Sequence, residues 1–434
     1  MSTCTELPPK EAEPMPAKRR GSWSVVARGG TLAILDQALV SGTSFLSVVL
    51  VGRACGEVEL GYYSLGVTVL VLLTILQESL ITAPYTVFRE RLRGRRIREY
   101  TGRMLFQQVA MACVSAVAIA STASLLLETR TETALAAAAI APFMLLRDFC
   151  RRLCIIHARV GGALALDLFV GVLQLASLAW LSSTGRLTAS LAFGAIGVAS
   201  GISTAVVLFA IREDFILRGR RPAREFGRHW TFGRWIAAGQ AVGVVHGYAV
   251  HWLLMVLIGP SATGAFAACL AVALLANPLY LGMSNLLGPW AARARATGGL
   301  PALRRLVLRA AGFLVAGMSV FCIGVSLFGE RLMNLFYGEA FSGHGFTLTA
   351  LAASLAVTSA GMSADHGLRT LGRPRIAFVG SAIGLAVTLS CSLLLTPAWS
   401  IAGAAFGYLM GTTASSVVRM TAFLKLSSAA EGGE

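Results

Sequence analysis

The sequence predicts an all-α polytopic membrane protein, with about twelve transmembrane helices in two six-helix bundles related as parallel repeats. Three observations predict it. Of 434 residues, 56% are hydrophobic and 13% charged, about half the charged fraction of a soluble domain. Runs with few or no charges, such as Ile34–Val51, Leu105–Leu127, Ala237–Ile258 and Phe378–Leu395, suit a helix crossing about 30 Å of hydrocarbon. The basic residues also alternate from one loop to the next.

Taken in order, residues 1–28 are polar and proline-rich (Pro8, Pro9, Pro14, Pro16), then basic (Lys18, Arg19, Arg20). They read as a disordered cytoplasmic tail with no secretory signal peptide. Spans are expected at 31–51, 62–88, 104–127, 133–158, 163–183 and 187–211, which make the first bundle, 29–211. Residues 212–234 read as a basic cytoplasmic linker. Spans at 235–258, 264–292, 309–328, 346–368, 374–395 and 399–424 make the second bundle, 235–426. A cytoplasmic tail, 427–434, closes the chain. With the N-terminus inside, the cytoplasmic segments hold 33 of the 37 lysines and arginines, and only Arg53, Arg130, Arg186 and Arg331 fall outside. An error in the helix count would scramble this alternation from that point onward. The positive-inside rule therefore favours twelve spans with both termini cytoplasmic.

A faint repeat runs through the chain. A shift of 203 residues sets Gly30 on Gly233, Gln37 on Gln240, Gly56 on Gly259 and Gly61 on Gly264, without a gap. Both copies enter from the same side, so the halves are parallel repeats, a recurring transporter plan.

The net charge of +16 sits in short clusters between apolar runs, without the aromatic-studded basic patches of nucleic-acid binders. No nucleic-acid partner is expected. The eight cysteines lie mostly within apolar runs and read as small hydrophobes. Cys150, Cys154 and His157 have helical metal-ligand spacing, but Arg151 and Arg152 between them argue against a cation site. No Walker A sequence is present, so the chain does not itself hydrolyse ATP. No metal, cofactor or enzymatic activity is expected.

Four stretches carry a family resemblance. They are Leu35-Asp-Gln-Ala-Leu-Val-Ser-Gly-Thr-Ser-Phe45 through Gly61-Tyr-Tyr63; Ile258-Gly-Pro-Ser-Ala-Thr-Gly-Ala-Phe266; Leu371-Gly-Arg-Pro-Arg375 after Leu335-Phe-Tyr-Gly338; and Pro397 through Ile401-Ala-Gly-Ala-Ala405. In this order they resemble the polysaccharide flippases of the multidrug/oligosaccharidyl-lipid/polysaccharide exporter superfamily. The resemblance implies a monomeric transporter of the bacterial inner membrane. It would move a polyprenyl-diphosphate-linked oligosaccharide for surface polysaccharide biosynthesis by alternating access. It carries no invariant site residues.

Such cargo needs a wet cavity with cations for its diphosphate, because burying unpaired charge costs many kcal/mol. The substrate-binding candidates are Arg147, Arg151, Arg152, Gln240, His251 and Asn277. Guanidinium grips phosphate oxygens in bidentate fashion, which selects the three arginines; the alternative is a plain topogenic cluster. The gate or ion-coupling candidates are Asp36, Glu78, His246, Asp365 and Arg369. Asp36, Thr43 and Ser47 share one helical face, and so do Thr74, Glu78, Thr82 and Tyr85. Each face is either a cavity wall with an H+- or Na+-coupling carboxylate or a structural partner for an arginine. His246 is either a proton sensor or a buried neutral histidine bonded to a neighbouring helix. Asp365 and Arg369 are four apart and pair locally. Together the acids and arginines either seal the inner end or only neutralise the interface. Gly239, Gly243 and Gly247 form a spacing-four ridge suited to close helix contact.

The alternative function is an H+- or Na+-coupled exporter of drugs or small solutes with the same fold. A glycan polymerase or ligase would need a larger outer loop than the stretch Gly329–Gly345. A major-facilitator symporter fits the four motif stretches poorly.

Overall fold

The computed structural model describes residues 23–126, 131–157, 159–217 and 222–429. The expected tail up to residue 22, Arg130, the linker residues 218–221 and the last five residues of the second tail lie outside them. Among the described residues the secondary structure is entirely helical. The α-helices are α1 (Trp23–Gln77), α2 (Ala83–Arg89), α3 (Arg95–Leu126), α4 (Thr131–Ile156), α5 (Val160–Ser183), α6 (Ala189–Ala210), α7 (Pro222–Leu257), α8 (Pro260–Ala273), α9 (Asn277–Tyr337), α10 (Gly345–Thr370) and α11 (Pro374–Ala429). Nine helical runs among the described residues are apolar and long enough to cross a membrane.

Three of those runs contain a break, so the nine become twelve legs. α1 breaks at Gly56, α9 at Gly298–Gly299 and α11 at Ser400, each with non-helical backbone. Legs 1 and 2 flank Gly56, and leg 2 continues through a π turn, Glu78–Thr82, into α2. Legs 3 to 7 are α3 to α7. Leg 8 is α8, a 3-10 turn and α9 up to Gly298; leg 9 is the rest of α9. Leg 10 is α10, and legs 11 and 12 flank Ser400. Legs 1 to 6 are the first half and legs 7 to 12 the second. The terminal face is the one where leg 1 starts and leg 12 ends. The far face carries Gly56, Gly259 and Ser400.

Legs 11 and 12 show why small residues decide packing. A Cβ at Gly403 would lie 2.3 Å from Leu395 O, one at Gly407 2.3 Å from Ser392 Oγ, and one at Gly411 1.8 Å from Thr388 Oγ1. These contacts run antiparallel away from Ser400, with Ser415 next in the stripe against Gly384. Close backbone approach of this kind is what small residues permit between membrane helices, where apolar lipid supplies no drive of its own. The expected ridge is therefore corrected. A Cβ placed on Gly239, Gly243 or Gly247 would have no heavy atom within 4 Å, so leg 7 makes no close contact there.

The repeat is a structural fact at the far face. Gly56 and Gly259 both turn with positive φ, 77° and 121°, at equivalent positions. A Cβ at Gly61 would lie 2.0 Å from Pro260 O, and one at Gly264 would lie 1.9 Å from Glu57 O. Both pairs, Gly61 with Gly264 and Glu57 with Pro260, are 203 residues apart. The two halves thus meet through one contact used twice, as a two-fold relation requires.

The expected linker 212–234 is not a plain connection. Pro222, with φ preset for a first helical position, opens α7, and the helix runs on into the membrane. Its first turns dock on the first half. Buried His229 is hydrogen-bonded to Tyr100 Oη at 2.8 Å and to Gln107 Oε1 at 3.1 Å. Arg228 lies 3.9 Å from the centroid of the Phe88 ring, and Arg103 pairs with Glu225 at 2.8 Å.

Candidate functional site

Within the terminal-side part of the first half, leg 4 projects three arginines at spacings of four and one. Each meets acid. Arg147 Nη2 donates to Asp167 Oδ1 of leg 5 at 2.5 Å. Arg151 donates through Nε to Asp167 and through Nη2 to Asp36 of leg 1, bridging two carboxylates with one guanidinium. Arg152 donates to Glu78 of leg 2 at 2.9 Å and to Asp148, one turn back, at 3.0 Å. Asp148 also accepts from Gln77 at 3.3 Å, and Gln77 accepts from Gln108 of leg 3 at 3.1 Å. Four carboxylates thus face three guanidiniums, and the cluster carries a formal charge of −1. Asp36 is 4% exposed, and its Oδ1 is buried without a hydrogen-bond partner.

This arrangement corrects two expectations. The span 4 arginines do not present a free cationic surface, because every guanidinium is already paired with carboxylate. Nor does the network seal one half against the other: Asp36, Glu78 and all their partners belong to legs 1 to 5. The line Asp36, Thr43, Ser47 faces leg 5 rather than a cavity. Gln174 donates to Ser47 Oγ at 2.7 Å, and Thr43 packs over Gly171. The line Thr74, Glu78, Thr82, Tyr85 does not hold. Pro84 cannot donate to residue 80 and crowds its carbonyl, and the π turn just before it rotates the rest of the helix by about 100°. Tyr85 is consequently buried and hydrogen-bonded to Thr101 at 2.9 Å and to His157 at 2.9 Å.

His157 sits in the turn between α4 and α5, outside the spanning helices. Its Nδ1 lies 3.5 Å from Asp214, which also pairs with Arg159 at 2.6 Å. Burial, followed by the nearby Arg89 charge, holds its imidazole below the usual 6.5 despite Asp214. The unfolded chain therefore takes up a proton there that the folded protein resists. The stability this residue contributes is intact above about pH 6.5 and lost as pH falls below it. We expect the thermal midpoint in detergent to drop between about pH 7.5 and about pH 5.5, and to drop less in His157→Gln. An equal or larger drop in the variant would remove His157 from the account.

The second half gathers the other candidates. His246 is buried and hydrogen-bonded to Thr388 Oγ1 of leg 11 at 3.0 Å, with its ring beside Tyr408. Asp365 and Arg369 pair at 2.9 Å, as their spacing predicts, with Arg369 largely exposed. His251 is corrected as a substrate contact: it is 2% exposed and packs edge-on against Phe266 of leg 8 at 5.0 Å, so its ring opens on no cavity. Gln240 and Asn277 are half-buried, Asn277 at the 3-10 break of leg 8. An apolar groove of about 560 Å³ opens between legs 2, 7 and 11, lined among others by Val244, Tyr248, Trp252 and Leu389. Trp252 Nε1 there donates to Thr68 Oγ1 of the other half at 3.0 Å.

One functional candidate is not singled out by the sequence. Along the chain, Arg419 of leg 12 counts only as a basic residue of the terminal side. In the structure it is half-buried and turned onto leg 11, where Nη2 donates to Ser381 Oγ at 2.6 Å. The signal available was its register: it continues the series Gly403, Gly407, Gly411, Ser415 at spacing four.

The far face closes by a separate set of ties between the halves. Glu57 accepts from Ser261 and lies 3.6 Å from His344. Arg53 donates to Leu335 O at 3.0 Å, and Phe45 meets Phe336 edge-on at 5.0 Å.

No protein-family model and no curated protein matches the chain. In three dimensions it is similar to the inward-facing conformation of a multidrug resistance MATE family transporter of the MOP superfamily. The TM-score is 0.67 at 15% identity, covering 93% of this chain and 96% of that one. The outward-facing conformation of a MATE family transporter gives 0.65 at 14% identity, covering 94% and 96%. A mutant of the Vibrio cholerae MATE transporter VcmN gives 0.65 at 18% identity, covering 93% and 98%. At these identities the likeness is one of fold. It does not select the flippase branch.

Proposed function

We propose that this chain is a secondary exporter of the bacterial inner membrane, with both termini cytoplasmic. It moves a small amphipathic solute by alternating access and exchanges it for protons taken up in the first half. The observation that carries this reading is the buried carboxylate of Asp36, tied to leg 4 through Arg151 and left with one oxygen unpartnered. An ionisable group buried inside a membrane is a functional-site candidate by default, and a carboxylate there is suited to take up a proton. Arg151 on both Asp36 and Asp167 disfavours Na+, which would have to bind against a fixed guanidinium. Protonating Asp36 cancels the charge through which Arg151 ties leg 1 to legs 4 and 5, and so frees leg 1 to move. The apolar groove between the halves suits the greasy part of such a solute.

The similar structures, multidrug transporters in inward- and outward-facing states, support the same reading. The polyprenyl-diphosphate flippase, the other reading, loses its main support. Its cation site rests on Arg147, Arg151 and Arg152, and all three are neutralised.

The test is transport in proteoliposomes under an imposed pH gradient or an imposed Na+ gradient, with ethidium and carboxyfluorescein as cationic and anionic probes. We expect the pH gradient to drive transport of at least one probe and Asp36→Asn to abolish it. Undiminished gradient-driven transport by Asp36→Asn would end the coupling assignment. Translocation of a polyprenyl-diphosphate oligosaccharide without transport of either probe would restore the flippase.

A further inference from the structure

We propose that Arg419 anchors an anionic group, a phosphate or carboxylate, inside the second half. This rests on the exporter reading and names the class of solute: acidic or zwitterionic, not a simple lipophilic cation.

The first ground is charge balance. Arg419 has no carboxylate within ion-pair distance among the described residues, unlike Arg147, Arg151 and Arg152. Its one hydrogen bond goes to a neutral hydroxyl, Ser381 Oγ, and its Nε is buried with no partner. An arginine within a membrane helix normally pairs with acid or marks a ligand path. Here the acid is missing.

The second ground is placement. Ser381 lies seven residues beyond Pro374, about 10 Å of helix into leg 11. An arginine at this level could extend its stem back to the terminal face, as snorkelling side chains do. Arg419 does the opposite. Its stem crosses leg 12 to leg 11 and lies over Gly380, where a Cβ would come within 3.0 Å of Cγ and 3.1 Å of Nε. The glycine makes the notch that holds the guanidinium inside.

The third ground is company. His246 of leg 7 reaches the same stripe one turn before Arg419: a Cβ at Gly384 would lie 2.7 Å from its Cε1 and 2.8 Å from Ser415 Cβ. An imidazole there can hydrogen-bond an oxyanion or the body of a polar solute. Asp365 is already paired with Arg369 and does not offset the +1 of Arg419. The two halves therefore carry opposite offices. The first holds a buried carboxylate for protons, and the second holds a guanidinium for the acidic end of the cargo.

The test is equilibrium binding to the purified full chain with no gradient, so its outcome is independent of coupling. The probes are octyl phosphate and octyltrimethylammonium. We expect octyl phosphate to bind wild type and to weaken about tenfold or more in Arg419→Gln, as loss of a charged hydrogen bond implies. Arg419→Lys should keep part of the affinity. Arg375→Gln, at an exposed position on the same face, should bind as wild type does. Octyltrimethylammonium should not distinguish the variants. Gly380→Ala presses on the Arg419 stem and shifts it by a few tenths of an ångström without changing charge, so it too should weaken octyl phosphate, though less; it serves if Arg419→Gln does not fold. Repeating the titration in nanodiscs separates two sources of the anion. Competition by phosphatidylglycerol assigns the site to a lipid headgroup, and its absence assigns the site to cargo. Equal octyl phosphate affinity in wild type, Arg419→Gln and Gly380→Ala would overturn the proposal.

Discussion

Gly61→Leu is expected to leave each half folded and to stop transport, because the far face can no longer close. The Cβ alone would stand 2.0 Å from Pro260 O, far inside the roughly 3.5 Å of an optimal nonbonded contact. The obstacle is backbone, which cannot rotate away as a side chain end can. Both legs would have to separate, and with them the ties from Glu57 to Ser261 and from Arg53 to Leu335 O. A transporter that must close this face once per cycle then spends its time in the state open there, a population shift and not an unfolding. We expect transport to fall at least about tenfold, the equivalent of about 1.4 kcal/mol against closure. A thiol reagent applied from the far face should label Ser261→Cys faster in the Gly61→Leu background. Gly264→Leu should behave alike, since Glu57 O lies 1.9 Å from its Cβ position. The double variant should be no worse than either single one. Transport by Gly61→Leu within about twofold of wild type would mean that the far face need not close in the cycle.

The second large effect concerns stability. Arg151→Leu removes the one guanidinium shared by Asp36 and Asp167, and both carboxylates are almost fully buried, 4% and 2% exposed. Stranding buried charge in this way costs about 3–5 kcal/mol, more than replacing the whole pair by apolar groups. We expect little folded protein in detergent and a thermal midpoint well below wild type. Adding Asp36→Asn, which leaves Arg147 paired with Asp167, should restore most of the stability while transport stays absent. Arg152→Leu should be milder, because its partners Glu78 and Asp148 are more exposed, with side chains at 32% and 21%. Equal losses in Arg151→Leu and Arg152→Leu would mean that burial does not set the cost here.

The sequence by itself determined the number of legs, their order and the two-fold repeat. Those properties are written along the chain. Hydrocarbon thickness sets how many apolar residues a leg needs, and basic loops mark one face. The repeat announced itself through Gly56, Gly61, Gly259 and Gly264, residues that the backbone demands at a turn and at a close approach. The acids and arginines of legs 1, 2, 4 and 5 were visible as well, crowded toward one face. What only the tertiary structure decided was how each leg is rotated about its own axis. Asp36 and Ser47 could have faced a cavity, and they face leg 5. The stripe at Gly239, Gly243 and Gly247 and the stripe at Gly403, Gly407 and Gly411 look alike as text, yet only the second is packed. In water a helix declares its buried face by being greasy on one side. Lipid is as apolar as leucine, so that signal is absent here, and the facing of each leg is settled by the packing of its neighbours. Pairing follows facing, which is why Arg151 between two aspartates and Arg419 without one emerged only in three dimensions.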